Sequence, residues 1–237
     1  MLLELKNLSK SFGAVVVAAD VSLAVEDGEA LGIIGPNGAG KSSVFNLVSG
    51  TLEPDSGSVL LDGADVTREP PRRRVLAGIG RSHQIPLPFE HLTVFENTVV
   101  AACFGTGAKE DAARDRVVEI LHMTKLLPKA NLPAGALTLL ERKRLEMTRA
   151  LATGPKLLLL DEIAGGLTEG ECQELVATIQ EIRADGMTII WIEHVTHALL
   201  AVVDRLVALD FGKIIAEGAP REVMNSESVQ RIYMGVD

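Results

Sequence analysis

Residues 31–48 constrain this chain more than any other stretch. Leu31-Gly32-Ile33-Ile34 is an apolar run, Gly35-Pro36-Asn37-Gly38-Ala39-Gly40 is a glycine-rich turn, and from Lys41 and Ser42 to Val48 the pattern is helical. Gly-x-x-x-x-Gly-Lys-Ser between a strand and a helix is a P-loop, in which loop amides and the positive end of the helix converge on a phosphate. Glycine lets the backbone come close to that phosphate. On this pattern Lys41 contacts the β- and γ-phosphates and the Ser42 hydroxyl ligates Mg²⁺. The competing explanation is a glycine-rich turn that merely opens a helix.

The rest of the chain has to supply a sheet with that strand in it. Alternating apolar segments at 2–5, 15–25 and 30–34, with turns at Ser11-Phe12-Gly13 and Glu26-Asp27-Gly28, predict an antiparallel sheet at the start. Asp55-Ser56-Gly57 turns into a short strand over 58–61. From about 93 to 151 strand signals nearly vanish, and Val117, Ile120, Leu121 and Met123 fall on one face at helical spacing. Strands return at 157–160, 187–192 and 205–209, with a helix over 171–182. Unbroken apolar strands alternating with helices predict a parallel sheet. The expected fold is α/β: a P-loop core of mostly parallel sheet over 1–84 and 155–237 with an N-terminal antiparallel β-subdomain, and a helical subdomain over 85–154.

Composition narrows the partners. The formal charge of −9 argues against nucleic acid or an anionic lipid surface as the target. The 237 residues are enough to bury a core without disulfides or metal, so Cys103 and Cys172, which share no short spacing, are expected to be reduced and buried. No leader pattern opens the chain, and its apolar stretches are interrupted by Asp20, Asp204 and Arg205. A cytoplasmic protein with no direct membrane insertion is expected.

Two further groups gather near the phosphate site if the strands are parallel. Leu157-Leu158-Leu159-Leu160 ends in Asp161-Glu162, at the carboxyl edge where open α/β sheets bind ligands. Asp161 can hold Mg²⁺ through water, and Glu162 can polarise an attacking water. His194 follows the next strand in Trp191-Ile192-Glu193-His194 and would reach a γ-phosphate, although a partly exposed histidine or a metal pair with His197 fits the spacing too.

With these residues in order, the chain resembles the nucleotide-binding ATPase subunits of ABC transporters over essentially its whole length. The resemblance implies ATP and Mg²⁺ as cofactors. It places Phe12 against adenine, wraps the phosphates in Asn37, Gly38, Ala39, Gly40, Lys41, Ser42 and Ser43, and assigns Ser42, Gln84 and Asp161 to the metal. By the same resemblance Lys41, Glu162 and His194 are catalytic, Gln84 couples nucleotide to a transmembrane partner, and residues 164–168 form a dimer-interface loop. Thr93-Val94-Phe95-Glu96-Asn97 would open the helical subdomain that docks on permease subunits, peripherally on the inner face of the membrane. The details at 92–97, 144–151 and 209–218 look most like ATPases that energise uptake of branched-chain amino acids, where two different ATPase subunits pair. A homodimer, a soluble ATPase for cluster assembly and a low-turnover binding module are the alternatives.

The chain departs from the family at the signature. Where Leu-Ser-Gly-Gly-Gln is expected it reads Leu137-Thr138-Leu139-Leu140-Glu141. Thr138 keeps a hydroxyl, but Leu139 and Leu140 add bulk where backbone should approach the partner's ATP. Thr138-x-x-Glu141 also fits a capping box, a reading that needs no ATP. The expectation is an asymmetric dimer, with this chain's P-loop, Asp161, Glu162 and His194 completed by a partner's intact signature.

Overall fold

The structure, a computed structural model, describes residues 1–234. The sheets divide the early strands differently from the sequence expectation. β1 (Leu3–Phe12), β2 (Val15–Val25), β4 (Ser56–Leu61) and β5 (Ala64–Asp65) form an antiparallel sheet in the order β2-β1-β4-β5. β3 (Ala30–Ile34), expected with them, instead lies between β8 (Thr188–Ile192) and β9 (Arg205–Asp210), parallel to both. Its five residues are all buried. A strand with no polar alternation needs cover on both faces, which only the central sheet provides. Ser11 and Phe12, expected in a turn, end β1, and Gly13 turns the chain at φ +59°.

The second sheet runs β10-β9-β3-β8-β7-β6, with β6 (Ile79–Arg81), β7 (Leu157–Asp161) and the antiparallel edge strand β10 (Lys213–Gly218). β7 shows how it divides the core. Leu157 and Leu159 face one way and join Leu3, Leu5 and Phe45, whereas Leu158 and Leu160 face the other and join Val117, Leu121 and Trp191. Successive side chains of a strand point to opposite faces, so one run of leucines serves two hydrophobic layers. The first layer lies between the two sheets and holds α1 (Lys41–Ser49) through Val44, Phe45, Leu47 and Val48. Burial of Phe45 contributes about 2 to 3 kcal/mol on the transfer scale.

Helices cover the opposite face. After α2 (Pro71–Ala77) come α3 (Val94–Thr106), α4 (Glu110–Met123) and α5 (Leu139–Ala152), then α6 (Glu169–Ala184), α7 (Thr196–Leu200), α8 (Pro220–Met224) and α9 (Glu227–Met234). α4 buries Val117, Ile120 and Leu121, with Met123 half-buried. α3, α5 and α6 each begin with a reciprocal capping box, Thr93 with Glu96, Thr138 with Glu141, and Thr168 with Glu171, which satisfies end amides that would otherwise lack partners. Both cysteines are free thiols, Cys172 buried and Cys103 only half-buried.

Candidate active site

The P-loop lies where three elements meet. Gly40 has φ +100°, and a Cβ there would come within 2.3 Å of the Val17 carbonyl oxygen. On the far side, a Cβ at Gly35 would come within 2.3 Å of the Leu209 carbonyl oxygen. The turn after β9 completes the seat, with the Gly212 amide donating to the Ala39 carbonyl at 2.9 Å. The loop therefore has no room for side chains at its two pinch points. Lys41 is buried, and its ammonium donates to the carbonyls of Gly35 (2.8 Å) and Pro36 (3.0 Å). Burial lowers its pKa, with the charges of Glu162 and Asp161 opposing.

Above the loop is a cleft of about 420 Å³ lined by Val15, Val17, Asn37, Gly38, Ala39, Gly40, Lys41, Ser42, Ser43, Gln84 and Glu162. Phe12 is not in that lining. It is exposed, with the Lys10 ammonium 5.5 Å from its ring centroid, and Val15 and Val17 form the apolar wall instead.

The parallel pairing of β7 with β8, in register from Asp161 to Ile192, brings both strand ends to one edge. Glu162 takes φ +46°, a left-handed backbone that swings its carboxylate over the cleft. Gln84 donates its side-chain amide to one carboxylate oxygen, and His194 Nε2 lies 2.8 Å from the other. Gln84, Glu162 and His194 thus form one chain of contacts. His197 turns to Glu169 at 3.5 Å, so the two histidines address different carboxylates. Among the described residues no cluster of three or more histidine, cysteine or acidic side chains could hold a metal.

Asp161 is buried and paired with a residue to which the sequence assigns no role. Arg81 donates to its Oδ2 at 2.8 Å and, with its other nitrogen, to Asn46 Oδ1 (2.7 Å) and Ser49 Oγ (3.1 Å) on α1. Two more charged groups, also unmarked by any sequence motif, stand behind the cleft. Lys143 of α5, 4% exposed, donates to the carbonyls of Gln84 (2.7 Å) and Glu162 (3.2 Å). Glu193, 1% exposed, accepts from the amides of Ala164 (2.9 Å), His194 (2.9 Å) and Val195 (3.3 Å). Burial raises the Glu193 pKa against those three bonds. A charged residue on the inward face of a helix, or just before a strand-end histidine, is the sequence signal available for both.

The signature segment stands apart, and none of Thr138, Leu139, Leu140 and Glu141 lines the cleft. Glu141 caps the α5 amino-terminus, accepting from the Thr138 amide at 3.0 Å and from Lys129. Burial works against its charge, but the bonds from Lys129 and Thr138 outweigh it and hold its pKa below the usual value. The expected bulk of two leucines is corrected to one. Leu140 points into the core at 6% exposure, because position two of an amphipathic helix faces inward here, and only Leu139, at 43%, faces out.

The ABC transporter family model matches residues 18–165, more than half of the chain. The chain belongs to the ABC transporter family. It is an ABC-type ATPase, and its β-subdomain, P-loop core and helical subdomain are those of an ABC cassette. It is similar to the lipopolysaccharide export system ATP-binding protein LptB of Haemophilus influenzae, at 35% identity over 99% of this chain and 97% of that one. It is also similar to the high-affinity branched-chain amino acid transport ATP-binding protein BraF of Pseudomonas aeruginosa, at 32% identity over 99% and 98%. Among solved structures, the ADP conformation of the ATP-binding cassette MJ1267 of an ABC transporter has a TM-score of 0.91 at 31% identity, covering 99% of each chain.

Proposed function

We propose that Glu162, held between Gln84 and His194 above the P-loop, orients the water that attacks ATP, and that this hydrolysis drives a transporter. The carboxylate facing the cleft carries the reading. ATP enters along Val15 and Val17, and Lys41 exchanges the carbonyls of Gly35 and Pro36 for the β- and γ-phosphates. The water oxygen then bonds to the γ-phosphorus as the bond to the bridging oxygen breaks, the water's proton passing to the Glu162 carboxylate, leaving ADP and phosphate. In this reading His194 contacts the γ-phosphate, supported by its contact with Glu162. Ser42, Gln84 and Asp161 offer hydroxyl, amide and carboxylate oxygens, a hard donor set that fits Mg²⁺. Bound there, the ion would neutralise charge on the phosphates. Glu162→Gln should retain ATP binding and lower turnover at least a hundredfold, read by phosphate release. Turnover within threefold of wild type would sink the assignment.

The partners follow from what this chain lacks. The α5 amino-terminus is capped by its own Glu141 and presents Leu139 rather than glycine, so a carboxylate stands where a partner's triphosphate would come. The reading this supports is an asymmetric dimer whose second ATPase subunit brings a glycine-bearing signature, with the 85–154 subdomain docked on permease subunits. A groove of about 260 Å³ between α2, α3, α5 and Arg81 suits that docking, and exposed Ile85 and Leu87 follow in the adjoining chain. No helix of the described residues is long and apolar enough to cross a membrane, so the permeases would supply every helical span.

For the cargo we propose uptake of branched-chain or related amino acids, supported by the likeness to BraF. Lipopolysaccharide export is the second reading, favoured by the likeness to LptB. Isolation of the complex from membranes, followed by uptake of labelled leucine in a strain lacking this chain, separates them. Undiminished uptake would remove the first.

A further inference from the structure

We propose that Lys143 and Glu193 are positioning residues for hydrolysis, which clamp from behind the cleft the backbones of the three side chains that meet at the attacking water. The inference rests on the role given above to Glu162.

Gln84 and Glu162, which line the cleft, and His194, which contacts Glu162, come from three separate segments, and each has a backbone atom held by one of these two buried charges. Lys143 takes the carbonyls of Gln84 (2.7 Å) and Glu162 (3.2 Å), and Glu193 takes the amide of His194 (2.9 Å). Glu193 also takes the amide of Ala164, two residues past Glu162, at 2.9 Å. Glu162 needs this support, because its φ of +46° is disfavoured for any residue with a Cβ and persists only where surrounding contacts over-determine it. Its own amide donates to the Ile192 carbonyl at 2.9 Å. Pinned there, at its carbonyl and at the amide of Ala164, the segment has one arrangement, and the carboxylate points one way.

The chemistry of the clamps is specific. An ammonium can donate to two carbonyls at once, as Lys143 does here. Three amide hydrogens converge on Glu193, which a carboxylate satisfies with two acceptor oxygens. A glutamine offers one carbonyl oxygen and an amino group, and the amino group would face a donor. Neither side chain lines the cleft, so neither touches nucleotide. Lys143 also lies one turn into α5, the helix that begins with the altered signature segment, and so ties that helix to the catalytic edge of the sheet.

The test compares Lys143→Met, Lys143→Arg and Glu193→Gln, with Glu162→Gln as control, in the full chain within the assembly isolated from membranes. Lys143→Met and Glu193→Gln should each lower kcat tenfold or more while the Kd of a fluorescent ATP analogue stays within threefold. Lys143→Arg, which can still donate to two carbonyls, should recover most of the loss. Hydrogen exchange at the Ala164 and His194 amides should quicken in Glu193→Gln with no global loss of protection. If Lys143→Met does not fold, the arginine and glutamine variants and the exchange data decide alone. A kcat within twofold of wild type for the variants that lose a clamp overturns the proposal. A loss of nucleotide affinity in step with turnover also overturns it, since that is what damage to the fold produces. Continued hydrolysis by Glu162→Gln would instead remove the underlying role of Glu162, and this inference with it.

Discussion

Two P-loop glycines that look alike in sequence have different surroundings. At Gly38 (φ +81°) a Cβ would meet nothing within 4 Å, whereas at Gly40 (φ +100°) it would lie 2.3 Å from the Val17 carbonyl oxygen. Gly38→Ala bears only the cost of the backbone conformation, and Gly40→Ala must also push β2 from the loop. Gly40→Ala should weaken binding of a fluorescent ATP analogue at least tenfold, and Gly38→Ala by clearly less. Equal effects would mean that the contact with β2 does not shape the loop. Lys41, Ser42, Asp161, Glu162 and His194 can be picked out as candidates in the sequence because motif and strand-end position are local properties. Arg81 and the two clamps are not, because a charge inside a chain of 237 residues announces no partner until distant segments meet.

At the scale of elements, α5 carries the departure from the family, and its first turn divides into three energetic roles. Leu140 is buried, so Leu140→Ala should cost about 2 to 5 kcal/mol. Thr138 caps the helix, and Thr138→Ala should cost about 1 kcal/mol. Leu139 is exposed, and Leu139→Ala should change stability by less than about 0.5 kcal/mol. Urea unfolding of the three variants tests the order, and a Leu139 effect above that of Thr138 would contradict it. Thr-x-x-Glu at 138–141 is legible as a capping box in the sequence, and the same spacing at 93–96 and 168–171 starts two more helices. What that pattern cannot tell is which leucine faces the core, since the helix's rotation is set by what packs against it.

For the whole molecule, Arg205 ties the two sheets together at the start of β3, through an ion pair within its own sheet and a hydrogen bond to the other. Arg205, at the head of β9, donates to Glu29 Oε1 at 2.7 Å and to the Ala24 carbonyl on β2. Burial opposes the Glu29 charge, but the Arg205 bond, the Glu26 amide and the Arg205 charge outweigh it and lower its pKa. A carboxylate depressed on folding adds stability above its unfolded pKa, near 4.5, and loses it as pH falls through the folded value. Arg205→Met should therefore lower stability at neutral pH by up to about 1 kcal/mol, the scale of a partly exposed ion pair. The gap from wild type should narrow as pH falls below the carboxylate range. Thermal unfolding across pH tests this, and a gap that widens in acid would show that Glu29 is not the group involved.

The sequence by itself determined the P-loop, the alternation of parallel strands with helices, the helical stretch before residue 157 and the acidic end of β7. Each of these is written in the spacing of neighbouring residues, where rotation per residue and turn chemistry act over a few positions. Only the tertiary structure decided that β3 leaves the antiparallel sheet, that Leu140 is core rather than bulk at an interface, and that Arg81, Lys143 and Glu193 stand behind the site. Those outcomes depend on hydrogen bonds and burial between distant segments, 80 residues apart in the pair Arg81 and Asp161 and farther still where Leu31 of β3 pairs with Arg205 of β9, and no local period encodes such a meeting.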